Sequence, residues 1–319
     1  MLNVFFTVDV EIWCDGWQDI DRKFPAAYSR YIVGTTPAGQ YGMPYQLQTL
    51  NDHGLKGVFF VEPLFSARFG QQPLQDVTGM VRDAGHEVQL HLHTEWVDEA
   101  RTPLLPGAQA KRQHLRYFSL AEQASLIKAG AGMIEMTGCK RPNTFRAGSF
   151  GFNRDTMDAL AANGIAFDSS YNATTFGLDS GLLPGQVASE PFECAGVWEY
   201  PMTVFKEGTG RQRHAQLTAC SYAELEGLLW QALEAGRSSF VILSHSFELL
   251  NARMDRRDDI VVKRFDKLCA FLNRNRDSFR TCGFDGLVPP RAAVQPPLLA
   301  SPLWRTGGRI AEQLVRRFA

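Results

Sequence analysis

The sequence predicts an α/β fold with a mostly parallel sheet, open or closed into a barrel. Three observations lead there. Short, mostly apolar runs at 2–8, 57–61 and 240–243 read as strands buried on both faces. Between such runs lie segments with apolar residues at helical spacing, opened by capping signals and closed by glycine. The two kinds of segment alternate through nearly all of the 319 residues, which is the pattern of βα units.

Taken in order, the 2–8 strand ends at Asp9. The stretch 13–42 mixes Gly, Pro, aromatic and charged residues without a period and is expected to be a long loop. A helix begins near Pro44, carries Leu47 and Leu50, and ends at Gly54. After the 57–61 strand, a helix over about 72–84 carries Leu74, Val77 and Val81, and Gly85 closes it. The next strand holds Val88, Leu90 and Leu92. A polar stretch over 98–117, with Pro103 and Pro106, is expected as a second long loop. Ser119 and Glu122 form a capping box for a helix with Leu126, Ile127, Met133 and Ile134 on one face. A short strand at 143–146, a helix capped by Asn153, and a strand at 165–168 follow. Then come a loop over 172–190 and a strand over 197–204. Ser221 and Glu224 form a second capping box, ahead of Leu225, Leu228, Leu229, Ala232 and Leu233. The 240–243 strand delivers His245, and a last long helix over roughly 259–274 turns Val261, Phe265, Leu268 and Leu272 inward.

This organisation predicts a barrel-like domain over 1–285 and a Pro-rich linker with a C-terminal helix over 286–319. That helix sets Ile310, Leu314, Val315 and Phe318 among arginines, so it can dock on the domain or make a peripheral membrane contact. The net charge of −1 gives no electrostatic footprint for nucleic acid. No apolar run is long enough to span a bilayer. The six cysteines are scattered, without a Cys-x-x-Cys pair, which fits reduced thiols. The N-terminus lacks a basic region and a small-residue cleavage site, so no signal peptide is read there. The expected location is cytoplasmic.

Unusual residues gather just past the C-terminal ends of the strands: Asp9 and Glu11, His91 and His93, Arg146, and His245. In parallel α/β folds that edge carries the active site. His91 and His93 lie two apart on a strand and share a face. Two imidazoles on one face are half of a Zn²⁺ site; a pair of hydrogen-bonded structural histidines is the other reading. Asp9 and Glu11 are also two apart, so one can bind a metal while the other acts as a base. A divalent ion brings the pKa of bound water from about 15.7 toward ~7. A remote histidine, His245 with Glu248 nearby, can protonate a leaving group. Arg146 can orient a carboxylate base and lower its pKa. Gly148 and Gly151 flank Ser149 and Phe150 in a turn able to aim a backbone N–H at an oxyanion, or to serve as an ordinary glycine turn. Trp96, Trp198 and Tyr200 offer faces to a sugar, or fill the core.

In ordered pieces from residue 3 to about 275, these residues resemble the polysaccharide deacetylases of the NodB-homology type, carbohydrate esterase family four. Phe6-Thr-Val-Asp-Val-Glu11 is similar to the family's Thr-Phe-Asp-Asp motif, and Gly57-Val-Phe-Phe-Val61 to its second strand. Gly85-His-Glu-Val-Gln-Leu-His-Leu-His-Thr94 resembles the segment leading into its His-Ser/Thr-x-x-His motif. Phe145-Arg-Ala-Gly-Ser-Phe-Gly151 resembles its Phe-Arg-Pro-Pro-Tyr-Gly, the stretch 164–171 its Gly-x-x-x-Phe-Asp-Ser-Ser-Tyr, and Leu243-Ser-His245 its Leu-x-His. The resemblance implies an irregular (β/α)7-type barrel. It also implies a bound Zn²⁺ or another divalent metal, and removal of an acetyl group from an N-acetylated sugar. By position it implies Asp9 as the base, His91 as a metal ligand, Arg146 as the residue tuning the base and His245 as the general acid. Ser149 falls where the oxyanion N–H is supplied. Val10 stands where the family has a metal-binding aspartate, so Glu11 is expected to serve. Glu95 stands where the family has its second metal histidine, so His93 substitutes or Glu95 ligates. Ser149, Trp96 and Glu95 are otherwise assigned to substrate binding.

The expected function is deacetylation of an N-acetylated sugar or glycan precursor in cytosolic surface-glycan assembly, such as that of lipopolysaccharide. The alternatives are a hydrolase of another amide or imide on the same barrel, and a catalytically inactive sugar-binding protein.

Overall fold

The structure is a computed structural model, and it describes residues 1–107, 110–290 and 295–318. In chain order it runs β1 (Leu2–Val10), α1 (Ile20–Tyr28), β2 (Thr35–Thr36), β3 (Gly39–Gln40), α2 (Met43–Asp52), β4 (Gly57–Val61), α3 (Ser66–Phe69) and α4 (Gln71–Asp83). It continues with β5 (Glu87–Leu92), α5 (Leu120–Glu135), β6 (Thr144–Ala147), α6 (Arg154–Ala162), β7 (Phe167–Asp168), β8 (Phe192–Cys194) and β9 (Val197–Glu199). The last elements are β10 (Val204–Lys206), β11 (Gln212–His214), α7 (Tyr222–Glu234), β12 (Ser239–His245), α8 (Asp259–Arg274), β13 (Phe279–Thr281), β14 (Leu299–Ala300) and α9 (Leu303–Phe318). These elements fall into two compact units.

The first unit gathers Met1–Gly57, Thr203–Gly283 and Pro296–Ala319. At its centre β1 pairs in parallel with β12, from Asn3↔Ser239 to Asp9↔His245, and with β13 over its first residues. Leu2, Val4, Phe5, Phe6 and Val8 are all buried, which is why the run is mostly apolar. Phe6 packs against Phe265 of α8 with ring centroids 5.5 Å apart. Two polar residues interrupt the run: Asn3 accepts from Arg280 Nε at 3.0 Å, and the Thr7 hydroxyl donates to the Ile242 carbonyl at 2.8 Å. Helix α7 opens on the Ser221/Glu224 capping box, and Asp258 caps α8 by accepting from the N–H groups of Ile260 and Val261. A small sheet of β11, β10 and β14 stands beside them.

The stretch 13–42 departs from the expected loop. It holds α1, a π turn over Ser29–Val33, and the β2–β3 hairpin. Burial of Ile20, Phe24, Ala27, Tyr31 and Ile32 outweighs Pro25 inside the helix. Ile20, Phe24, Ala27 and Tyr31 stand at i, i+4, i+7 and i+11, a helical spacing that the surrounding Gly, Pro and charged residues masked in the sequence.

The second unit gathers Val58–Met202 and Phe284–Gln295. Its strands lie in the order β4-β5-β6-β7-β9-β8, parallel except for β8 at the edge. Helices α5 and α6 open on the Ser119/Glu122 and Asn153/Thr156 capping boxes. Gly130 lets α5 lie close on β5, since a Cβ there would meet Leu92 Cδ2 at 2.8 Å. The carboxylate of Glu87 accepts from the N–H groups of Phe284 and Asp285, which ties that later segment to β5. The expected 197–204 strand is two strands, β9 and β10, because Pro201 between them has no N–H to give a ladder.

Candidate functional site

In the first unit, β1 and β12 carry Asp9 and His245 into register at their C-terminal ends. Asp9 is buried and its carbonyl accepts from the N–H of Ser246 at 3.0 Å. Glu11, just past the strand, is buried too. His245 is held from behind: its Nδ1 lies 2.7 Å from Glu248 Oε1, and its carbonyl accepts from Gln46 Nε2 at 2.8 Å. Glu248 is fixed in turn by the N–H of Thr218 and the amide of Gln216. The other ring nitrogen, Nε2, stands 4.0 Å from Glu11 Oε1. Burial works against charging this imidazole, but the Glu248 hydrogen bond and the charges of Glu248, Glu11 and Asp9 outweigh it. The pKa of His245 is thereby raised to about 9. An imidazolium held at neutral pH, with one nitrogen anchored and the other turned toward carboxylates, is suited to give up a proton.

In the second unit, β5 ends in His91 and His93, whose rings stand 4.8 Å apart and nearly perpendicular, at 82°. Each has Nδ1 directed at an oxygen. For His91 it is the carbonyl of Arg146, its register partner on β6, at 2.9 Å. For His93 it is Glu95 Oε2 at 3.4 Å. A carbonyl can only accept, so Nδ1 of His91 carries a proton, and Nε2 is the nitrogen placed to act as a ligand. An imidazole with Nδ1–H tied to an oxygen and Nε2 presented outward is the arrangement of metal-binding histidines. Both rings are buried, so the pair is not a solvated surface feature.

Gly148 is what lets β6 end against His93. A Cβ there would come within 2.6 Å of the Leu92 carbonyl oxygen and 2.8 Å of the His93 ring. The next two residues, Ser149 and Phe150, both take positive φ (51° and 57°), a conformation that costs ordinary residues energy. Ser149 is exposed at the tip of this turn. Arg146 itself is fully buried, with Nε and Nη2 donating to the carbonyl and hydroxyl of Ser169 and its guanidinium 4.1 Å over the Phe60 ring.

Near Arg146 lie two acids: Asp168, which the sequence marks only as a strand end able to bond neighbouring loops or line the site, and Glu199, which it leaves without a role. Asp168 and Glu199 are register partners on β7 and β9, both fully buried. Burial raises both carboxyls, and for Glu199 the charge of Asp168 adds to the effect. Ser170 donates to Asp168 at 2.6 Å, and the N–H of Tyr171 donates to Glu199 at 3.0 Å. Glu62, just past β4, was also missed. Its carboxyl is raised to about 8 by burial, although the N–H groups of Leu64 and Phe65 both donate to it. The signal that found Asp9 and His245, a polar residue at the end of a buried strand, applies equally to Glu62. Trp96 is corrected from a sugar platform to a core residue: it is 1% exposed and edge-on to Phe69 at 5.8 Å.

No protein-family model matches the chain, and no curated protein matches it. Among solved structures, the chain is similar to a candidate polysaccharide deacetylase from Mycobacterium smegmatis. The TM-score is 0.58 at 19% identity, over 93% of this chain and 95% of that one. Weaker likenesses are to a family 4 carbohydrate esterase from Streptomyces lividans solved with acetate, at TM-score 0.44, 13% identity, and 93% and 97% coverage. Another is to a family 4 pseudoenzyme from Bacillus anthracis, at TM-score 0.44, 12% identity, and 88% and 63% coverage. The fold is therefore the α/β barrel of the NodB-type polysaccharide deacetylases, as the ordered motifs imply.

Proposed function

We propose that the protein is a metal-dependent hydrolase that removes the acetyl group from an N-acetylated sugar. The observation that carries this reading is the buried imidazole pair at the end of β5, His91 and His93, with ring centroids 4.8 Å apart; the buried Glu11 carboxylate just past β1 is taken as the third ligand. Two neutral imidazoles and one carboxylate suit Zn²⁺ or a similar divalent ion, and the Nδ1 contacts of both histidines add the supporting shell such sites use. When bound, the ion supplies electrostatic activation of water and of the acetyl carbonyl. Val10 is buried and apolar and offers no ligand atom, so Glu11 takes the carboxylate position.

The remaining roles belong to the chain's own side chains. Asp9 accepts a proton from the attacking water. His245 gives its Nε2 proton to the departing amine nitrogen as the C–N bond breaks, leaving acetate and a free amino sugar. Glu248 keeps that imidazole charged and turned the right way. Arg146 orients the base carboxylate, and the Ser149 turn presents backbone N–H to the developing oxyanion. Glu95 holds His93 and borders the substrate position. The fold's deacetylase neighbour supports the acetylated-sugar substrate class. The six free cysteines support a reducing compartment, and with it a glycan precursor in the cytoplasm, in a pathway such as lipopolysaccharide assembly.

The test is acetate release from N-acetylated oligosaccharides and nucleotide-linked N-acetyl sugars by zinc-loaded protein. Release that disappears on chelation and in Asp9→Asn supports the reading. Zinc binding without release from any acetylated sugar would favour another amide or imide substrate, or a binding protein on this barrel.

A further inference from the structure

Helix α9 is packed with its charged side inward. Arg309 is 3% exposed and pairs with the carboxylates of Glu207 and Glu224. Glu312 pairs with Arg264 at 2.6 Å. Arg316 pairs with Asp258 at 2.7 Å and also donates to the Thr218 carbonyl. Thr306 accepts from the N–H of Gly208 at 2.9 Å. These contacts hold the helix by its polar face.

Its apolar side faces outward. Leu303, Trp304, Ile310, Leu314 and Val315 are between 45% and 68% exposed. Their spacing puts them on one continuous stripe with Gly307 and Gly308, where an added Cβ would meet nothing within 4 Å. A contiguous exposed apolar stripe is unusual on a soluble surface and marks a place that something else covers.

The rim of the stripe is cationic. Arg211 is exposed in the turn whose Gly208 abuts Leu303. Arg253 and Arg256 are exposed in the loop after Asn251. A groove of about 620 Å³ lined by Asn251, Ala252, Asp258, Ile310, Leu314 and Arg316 joins that loop to the stripe. The acids close by are engaged: Asp258 and Glu312 with arginines, and Asp255 with the side chain of Asn251.

We propose that α9 is an in-plane anchor for an anionic lipid surface. The stripe enters the boundary of headgroups and acyl chains, and Arg211, Arg253 and Arg256 meet lipid phosphates. A second copy of the chain is the competing occupant. Two-fold pairing of the stripe would bring two arginine rims together, which charge repulsion opposes.

The full chain is sedimented with vesicles of phosphatidylcholine, with and without phosphatidylglycerol. Binding is expected with phosphatidylglycerol and weaker at high salt. I310E/L314E is expected to lower the partition coefficient roughly 100-fold, from the lost burial of two large side chains. R253E/R256E is expected to lower it at least about tenfold. Both should melt like the parent, since all four positions are solvent-facing; should I310E/L314E not melt cooperatively, I310S/L314S takes its place. Absence of binding to phosphatidylglycerol vesicles overturns the proposal. So does binding that both variants leave unchanged, or a dimer that the apolar variant dissociates with no vesicle binding by either form.

Discussion

His245 and Glu248, one helical turn apart in sequence, meet at 2.7 Å through Nδ1 and Oε1. The contact decides which nitrogen of the imidazole works and in which protonation state. With Nδ1 spent on the carboxylate, Nε2 is the proton donor. With the anion adjacent, the ring is charged through neutral pH.

The pH dependence follows. An acid that must be protonated loses activity as pH rises through its pKa, so the alkaline limb of kcat/KM should fall near 9. A cation on Glu11 removes one of the charges that raise His245, so the limb in the loaded enzyme lies at or below that value. Glu248→Gln should move it down toward the ordinary histidine range, about 6.5. A limb unmoved by the substitution would remove His245 from the acid role. The stability sign is the same. Because the folded value lies above 6.5, this group's contribution is complete below pH 6.5 and fades as pH rises through about 9.

Changing both His91 and His93 to Ala should abolish stoichiometric zinc, measured by mass spectrometry of dialysed protein. Glu95→Gln keeps the ligands but weakens the acceptor for His93, and should cost roughly 10- to 100-fold in zinc affinity, read by chelator competition. Equal zinc affinity in Glu95→Gln would mean that Glu95 does not orient His93.

Asp9→Asn should retain zinc while lowering turnover by at least ~100-fold. The substitution keeps the size of a buried side chain, so the melt should remain cooperative. Loss of zinc in this variant would instead make Asp9 a ligand.

Two glycines make a paired stability prediction. Gly148→Ala forces a methyl against the Leu92 carbonyl oxygen at 2.6 Å and the His93 ring, and should destabilise by about 1–3 kcal/mol and weaken zinc binding. Gly132→Ala, inside α5 with nothing within 4 Å, should stabilise by roughly 0.5–1 kcal/mol. Denaturant unfolding of both variants checks the pair; a neutral Gly148→Ala would show that the close approach of β6 to His93 is not required.

Much of this was legible in the linear order of residues. Capping boxes at Ser119, Asn153 and Ser221, and apolar runs such as those of β1, β4 and β12, act over a few residues, so local chemistry alone fixed those elements. The same locality placed Asp9, His91, His93, Arg146 and His245 at strand ends. It failed where long-range burial overrode local preference. Helix α1 forms around Pro25 because Ile20, Phe24 and Ala27 find a core, and Pro201 divides what hydropathy reads as one strand.

Tertiary structure alone decided which partners those residues received. The carbonyl that sets the tautomer of His91 comes from Arg146, 55 residues away. The buried carboxyl pair near Arg146 needs Asp168 and Glu199 aligned on neighbouring strands. The amphipathic pattern of α9 is plain in the sequence, but not that Arg309 and Arg316 point inward: Glu207, Glu224 and Asp258 wait there, and ion pairs between distant segments form only once the chain has folded. Sequence determined the pieces because helix and strand signals are short-ranged; it left the pairings open because buried hydrogen bonds and charges depend on distances that only the packed fold sets.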